Sequence, residues 1–340
     1  MDLSIVTTLY GSASFIGEFY RRASGAAARQ TEDYEIVLVI DGSPDDSLQV
    51  AVALAERDAH VRVIDLARNF GHHLAMMIGL RYATGRRVLL LDVDLEEEPD
   101  LLDPLWEEMN TSGADVVYGV QASRKGELFE RISGAIFWRF FNALSDYRVP
   151  ANIVTLRLMT RRYVDALVSY EERELFLGGV WTVAGFEQRP YVITKRKRPG
   201  TSYTLGRRLA LFGQAVTSFS SKPLVMVFQL GLTISLVAGC AATYLILRKI
   251  LYDEYLMGWP SLIVSIWLLG GVTIFCMGII GVYLSKIFME VKRRPYGTIR
   301  KVYGMEGLET SPLFPASTAE GKVIPRSAGR DQDVSVSRSS

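Results

Sequence analysis

The chain has 340 residues, of which 49% are hydrophobic and 22% charged, and its formal net charge is +1. That near-neutral balance gives no electrostatic case for a nucleic-acid partner. The only two cysteines, Cys240 and Cys276, both fall in long apolar runs, which excludes a disulfide framework or a zinc site.

At the N-terminus, Met1-Asp2-Leu3-Ser4-Ile5-Val6 has no basic stretch ahead of its apolar residues. It reads as a strand, not a signal peptide, so export of the region that follows is not expected. Apolar runs at Leu3–Leu9, Glu35–Ile40, Val61–Leu66, Val88–Leu91 and Asp115–Val120 alternate with helical patterns near Ser14–Ala28, Asp46–Arg57, His72–Ala83 and Pro99–Asn110. The alternation predicts an α/β fold with a mostly parallel sheet covered by helices on both faces. Ligands of such sheets bind beyond the carboxyl ends of the strands. Asp41 after the second run, Arg68-Asn69 after the third and Asp92 and Asp94 after the fourth therefore fall on one rim.

The segment Asp92-Val93-Asp94-Leu95-Glu96 adjoins the fourth apolar run. In an extended chain residues two apart point to one side, so the three carboxylates are expected to converge at the strand end. Such a set suits a hard divalent cation, Mg²⁺ or Mn²⁺, of the kind that accompanies a nucleotide diphosphate. The competing reading is a solvated acidic loop, continued by Glu97, Glu98 and Asp100. His72 and His73 begin a helical pattern without metal-type spacing, so zinc chemistry is not expected of them.

Further along, Phe129, Ile132, Ile136, Phe140 and Leu144 recur at helical spacing within Gly126–Leu144, and Phe137, Trp138 and Phe141 widen the apolar face. This helix either faces the core or lies on a bilayer surface. A second amphipathic candidate, Leu205–Ser221, leads into two apolar runs, Leu224–Leu247 and Ser261–Leu284, each without Asp, Glu, Lys or Arg. Each is long enough to span a membrane, and neither shows the polar face that a buried core helix of that length carries. Lys222 before the first, and Lys286, Lys292, Arg293 and Arg294 about the end of the second, put both flanks on the cytoplasmic side. The expected organisation is an α/β domain over 1–203, a juxtamembrane amphipathic helix over 204–222, two transmembrane helices within 223–288, and a cytoplasmic tail over 289–340, disordered from about 309.

Several ordered blocks resemble glycosyltransferase family 2, specifically its membrane-anchored polyprenyl-phosphate transferases, relatives of dolichyl-phosphate mannose synthase. They are Ile40-Asp41-Gly42-Ser43-Pro44-Asp45, Ala67-Arg68-Asn69-Phe70-Gly71-His72, Leu91-Asp92-Val93-Asp94-Leu95-Glu96, Gly119 to Arg124, Leu156-Arg157-Leu158-Met159 and Ser218-Phe219-Ser220-Ser221-Lys222-Pro223-Leu224. The resemblance implies a Rossmann-like GT-A domain followed by two transmembrane helices. It further implies inverting transfer of a sugar from a nucleotide sugar to polyprenyl phosphate, here undecaprenyl phosphate, at the cytoplasmic face of a bacterial inner membrane. Relatives of this kind form tetramers, so a homo-oligomer is among the partners it implies. By the same resemblance Asp41 contacts the nucleotide base, Arg68, Asn69 and Ser202 line the donor site, and Asp92, Asp94 and Glu96 hold the metal. Arg124 and Arg131 match the acceptor-phosphate arginines, and Arg198, in Lys195-Arg196-Lys197-Arg198, matches a donor-site residue of a mobile loop.

The chain departs from the family pattern in four places. Thr8-Leu9-Tyr10-Gly11-Ser12 keeps only the tyrosine of the usual block after strand one, Ile40 replaces the first of two aspartates, Thr155 replaces an aspartate ahead of Leu156-Arg157, and the basic loop lacks the lysine before its tyrosine. These differences bear on the donor sugar more than on the reaction class. Two rival readings follow. One is transfer to a hydroxyl of a lipid-linked glycan, with Glu172 or Glu174 as the base that such an acceptor needs. The other is a catalytically lapsed scaffold that binds nucleotide sugar.

Overall fold

Strands buried on both faces read as unbroken apolar runs, because neither face can carry solvated side chains. β1 (Leu3–Leu9) and β2 (Tyr34–Ile40) are buried at every position, and β3 (Val61–Leu66) and β4 (Arg87–Leu90) nearly so. The computed structural model describes residues 1–121, 153–172, 177–194, 222–252, 258–292, 294–295 and 297–304. Arg124, Arg131, Arg198, Ser202, Glu174, the two expected amphipathic helices and the stretch from 305 onward lie outside the described residues.

The sheet has eight strands in the order β7-β5-β6-β4-β1-β2-β3-β8. Its centre, β4-β1-β2-β3, is parallel throughout, with Ile5 opposite Ile36 on one side and Leu89 on the other. Alternate residues serve opposite layers. Leu3, Ile5, Ile36, Leu38 and Leu89 pack with Phe19 and Ala23 of α1 (Ala13–Gln30), Ala51 of α2 (Ser47–Ala55) and Leu105 of α4 (Leu102–Ser112). Val6, Val37, Val39 and Leu90 pack with Met76 and Met77 of α3 (His72–Tyr82) and with Tyr163 and Leu167 of α5 (Arg161–Val168).

The five strands and four helical stretches expected before residue 121 are present, with a 3-10 turn at Pro99–Leu101 leading into α4. The structure adds three strands that periodicity does not single out. β6 (Ile153–Thr160) runs antiparallel between β4 and β5 (Val116–Gln121), so those two consecutive strands are not neighbours. β7 (Gln188–Ile193) extends β5 in parallel after the short helix α6 (Leu177–Val183). β8 (Ile299–Tyr303) pairs antiparallel with β3, inside the stretch 289–340 expected as a cytoplasmic tail and ahead of its part expected to be disordered from about 309.

Two long helices precede β8: α7 (Lys222–Tyr252, 31 residues) and α8 (Trp259–Val291, 33 residues). They pack against each other. At about 1.5 Å per residue each is longer than the hydrocarbon thickness of a bilayer. Among the described residues one segment, Ser265–Val291 within α8, is long and apolar enough to cross a membrane, and none of it is buried in the fold. In α7 the apolar segment that can be described, Leu224–Ile234, is shorter, so the expected pair of spans is met here by one.

Candidate functional site

Because β4, β1, β2 and β3 are parallel, their carboxyl ends share one rim, and the strand order reverses between β1 and β4. Crevices of open α/β sheets form at such reversals. The segments that follow these four strands carry Tyr10, Asp41, Arg68, Asn69, Asp92 and Asp94. The expected rim residues that can be described are therefore together, whereas Arg124, Arg131, Arg198 and Ser202 lie outside the described residues.

Asp41 is 3% exposed, and its two carboxylate oxygens accept the backbone N–H groups of Phe70 and Gly71 at 2.7 and 3.0 Å. What this carboxylate does in the structure is hold the loop 67–71 that follows β3. Gly42 completes the seat. Its φ is +60°, and a Cβ there would lie 2.3 Å from the Asn69 nitrogen and 2.5 Å from the Arg68 carbonyl carbon. No residue with a side chain fits between β2 and that loop. Arg68 and Asn69 are thereby presented to solvent, with the Arg68 guanidinium 4.2 Å above the Phe70 ring.

The loops after β1 and β2 are joined by Asp45. Its carboxylate accepts from the Ser43 and Ser47 hydroxyls, each at 2.6 Å, and from the Ala13 and Ser47 N–H groups. Burial pushes this carboxyl up, but those hydrogen bonds together outweigh it and hold the group well below the usual carboxylate range. Asp45 therefore stays ionised and fixes the start of α1 against the start of α2.

Across the β1/β4 reversal, His72 at the start of α3 bridges two strands. Its Nδ1 lies 2.9 Å from the Thr8 hydroxyl and its Nε2 3.3 Å from an Asp92 carboxylate oxygen. The expected convergence of Asp92, Asp94 and Glu96 is not what the structure shows. β4 ends at Leu90, Leu95 adopts a left-handed φ of 60°, and the Glu96 N–H donates to Asp94 Oδ1 at 3.1 Å. The chain is turning, so the two-residue repeat of a strand no longer applies. Among the described residues no three His, Cys, Asp or Glu side chains gather closely enough to hold a metal ion by themselves. Asp92 and Asp94 remain a pair of partly exposed carboxylates on the rim. A pair fits a hard cation that takes its other ligands from phosphate oxygens and water.

Sequence reasoning missed Glu97. It is 1% exposed, and its Oε2 accepts the Leu156 N–H of β6 at 2.8 Å, which ties the acidic turn to the sheet. Among six acidic residues between 92 and 100, nothing in the sequence marks the one that points inward. A left-handed leucine costs on the order of 1–3 kcal/mol, and persists only where its surroundings impose it. Glu97 is two residues away and supplies such an anchor. Close by, Arg157 is fully buried with its guanidinium 3.1 Å from the centre of the Trp181 ring, and burial lowers its pKa to about 10. Glu172, the described one of the two expected bases, is raised by burial and then by the charge of Glu290 in the last turn of α8.

The profile of glycosyl transferase family 2 matches residues 4–168, which span the parallel core and the whole rim. A Mycobacterium tuberculosis relative named as a glycosyltransferase is 49% identical over 322 residues, covering 93% of this chain and 94% of its own. The Bacillus subtilis uncharacterized glycosyltransferase YkcC is 33% identical, covering 90% of this chain and 95% of its own. The Escherichia coli prophage bactoprenol glucosyl transferase homolog is 30% identical, covering 89% of this chain and 99% of its own. With that family match and relatives 30–49% identical over about nine-tenths of its length, the chain belongs to glycosyl transferase family 2 and is a glycosyltransferase.

Proposed function

We propose that the protein transfers a sugar from a nucleotide sugar to a polyprenyl phosphate, undecaprenyl phosphate in a bacterial membrane, at the cytoplasmic face. The observation that carries this reading is the match, over 89% of this chain and 99% of its own, to a relative whose name includes bactoprenol, a polyprenol. Because the match covers 99% of that relative, it includes the long helices as well as the catalytic half.

In this reading the donor diphosphate lies along the rim, near Arg68, Asn69 and the Asp92/Asp94 pair. Asp92 and Asp94 would hold Mg²⁺ or Mn²⁺, which when bound supplies positive charge to the leaving diphosphate. Arg68 is exposed on a loop fixed by Asp41, and it offers a guanidinium fork to the phosphate oxygens. Arg198 and Ser202 would close over the donor, while Arg124 and Arg131 would hold the acceptor phosphate. The bond that forms joins a phosphate oxygen of the lipid to the anomeric carbon. The bond that breaks is the one from that carbon to the donor diphosphate, which leaves with the electron pair. Attack opposite to departure inverts the configuration. The acceptor is already anionic, so no side chain needs to remove a proton, and positioning and charge stabilisation do the catalytic work.

The return of the chain to the sheet supports a membrane hairpin. Strands β1–β7, which precede α7 in the chain, and β8, which follows α8, belong to one sheet, so the pair of helices enters and leaves from the same side. An even number of crossings is required, and the basic flank at Lys286, Lys292, Arg293 and Arg294 makes that side cytoplasmic. Reporter fusions at Asp253 should read periplasmic, and fusions at Tyr20 or Ser340 cytoplasmic. A cytoplasmic Asp253 would remove the hairpin.

The deciding experiment is mass spectrometry of lipids from membranes incubated with a panel of nucleotide sugars and undecaprenyl phosphate. The expected product is a sugar–phosphate–lipid that is labile to mild acid. An acid-stable glycoside that forms only on a lipid-linked glycan would instead support transfer to a hydroxyl.

A further inference from the structure

β8 reaches the sheet only after the chain has passed through both long helices, yet it joins β3 at the end of that strand that feeds the rim. The contacts are specific to the loop that carries Arg68 and Asn69. The Ala67 N–H donates to the Thr298 carbonyl at 2.8 Å. Arg300 donates from one guanidinium nitrogen to the Ala67 carbonyl at 2.9 Å and from the other to Asp65 at 3.2 Å. Asp65 is a buried carboxylate, 2% exposed, at the end of β3. Gly297 is buried against the same loop, where a Cβ would meet Phe70 at 3.5 Å and Ile78 of α3 at 2.7 Å. Seen from the loop, Asp41 and Gly42 hold Arg68 through Gly71 from the β2 side, and Gly297, Thr298 and Arg300 hold Ala67 and Phe70 from the β8 side.

We propose that Gly297–Arg300 is a positioning element of the donor site, which couples nucleotide binding to the return of the chain from the α7–α8 hairpin. The proposal rests on the reading of the 67–71 loop as part of that donor site. None of these residues needs to touch the donor. They act by keeping the loop in the one shape that presents Arg68 and Asn69 outward. A catalytic domain cut off ahead of α7 would keep β1 to β7 but lose one wall of its donor loop.

The test uses the full-length protein in lipid nanodiscs, with Arg300→Ala, Arg300→Lys and, as a control, Lys301→Ala. Lys301 lies in the same strand, is exposed and makes no contact with the loop that the structure records beyond the strand pairing. Amide hydrogen exchange is read at Phe70 and Gly71, with Val39 in the core as an internal reference. Binding of UDP, GDP, ADP and CDP is titrated in the presence of Mn²⁺. In Arg300→Ala, exchange at Phe70 and Gly71 should quicken roughly tenfold while Val39 is unchanged, and affinity for the bound nucleotide should fall roughly tenfold, the scale of one charge-assisted hydrogen bond. Donor KM should rise with kcat within about twofold, Arg300→Lys should recover part of both losses, and Lys301→Ala should match the wild type. Unchanged exchange at Phe70 and Gly71 overturns the proposal, and so does faster exchange with unchanged nucleotide affinity. The donor-site reading beneath it fails by a separate result, wild-type protein that binds none of the four nucleotides, and that outcome overturns both.

Discussion

Replacing Asp41 by asparagine removes one of the two carboxylate oxygens that hold the rim loop. Phe70 and Gly71 each donate to one oxygen of a carboxylate that is 3% exposed, so water does not replace a lost acceptor. Hydrogen bonds to charged groups contribute about 1.5–3 kcal/mol, and in the asparagine variant one backbone N–H faces an NH₂ group. The loop should therefore lose about 2–3 kcal/mol of its preference for the present shape. If the nucleotide binds only that shape, the penalty passes to the affinity, at about 1.4 kcal/mol per tenfold change. Nucleoside diphosphate binding should weaken by roughly 30- to 150-fold, with the sheet intact. Isothermal titration with Mn²⁺ measures the affinity, and hydrogen exchange at Phe70 and Gly71 measures the loop. Affinity within about twofold of wild type would refute the reasoning. A loss of affinity with unchanged exchange would also refute it, since it would assign Asp41 to the nucleotide base and not to the loop.

Asp94→Asn should abolish transfer with a wild-type thermal transition, and EDTA should inactivate the wild-type enzyme; full activity in either case would discard a metal at Asp92 and Asp94. Glu97→Ala leaves the buried Leu156 N–H without its acceptor, which should lower stability by about 1–3 kcal/mol in a denaturant titration and weaken Mn²⁺ binding. Glu97→Gln keeps an acceptor oxygen and should be milder on both counts, and equal effects of the two variants would exclude the hydrogen bond as the cause. For the acceptor, Arg131→Ala should slow transfer roughly 100-fold or more with little change in donor affinity, as expected for one lost phosphate contact. Glu172→Gln should leave the rate within about threefold, because a phosphate acceptor needs no base; a loss as large as that of Arg131→Ala would favour a hydroxyl acceptor.

The layered α/β core was legible because its strands are buried on both faces, and a run such as Tyr34–Ile40 has no other stable use. The rim followed from the same runs, since parallel strands must end together and Asp41, Arg68, Asn69, Asp92 and Asp94 sit where they end. The matching family and the long apolar helices were legible for the same reason, being carried by consecutive residues. What the chain does with those residues was settled by contacts between distant positions. Asp41 holds Phe70 and Gly71 because β2 and β3 are neighbours, and Gly42 is required because the loop after β3 crosses directly above it. The three carboxylates of Asp92, Asp94 and Glu96 alternate correctly on paper but part where β4 stops and Leu95 turns, and the inward-facing acid is Glu97, paired with a β6 backbone 59 residues away. β8 was hidden most completely. Five residues of which Ile299, Val302 and Tyr303 are hydrophobic, placed after a long apolar helix, carry no periodic signal; only the edge of β3, the buried Asp65 and the loop beside it make Ile299–Tyr303 a strand. Local sequence determines an element when burial alone demands it, whereas edges, turns and buried charges take their form from partners that folding brings near.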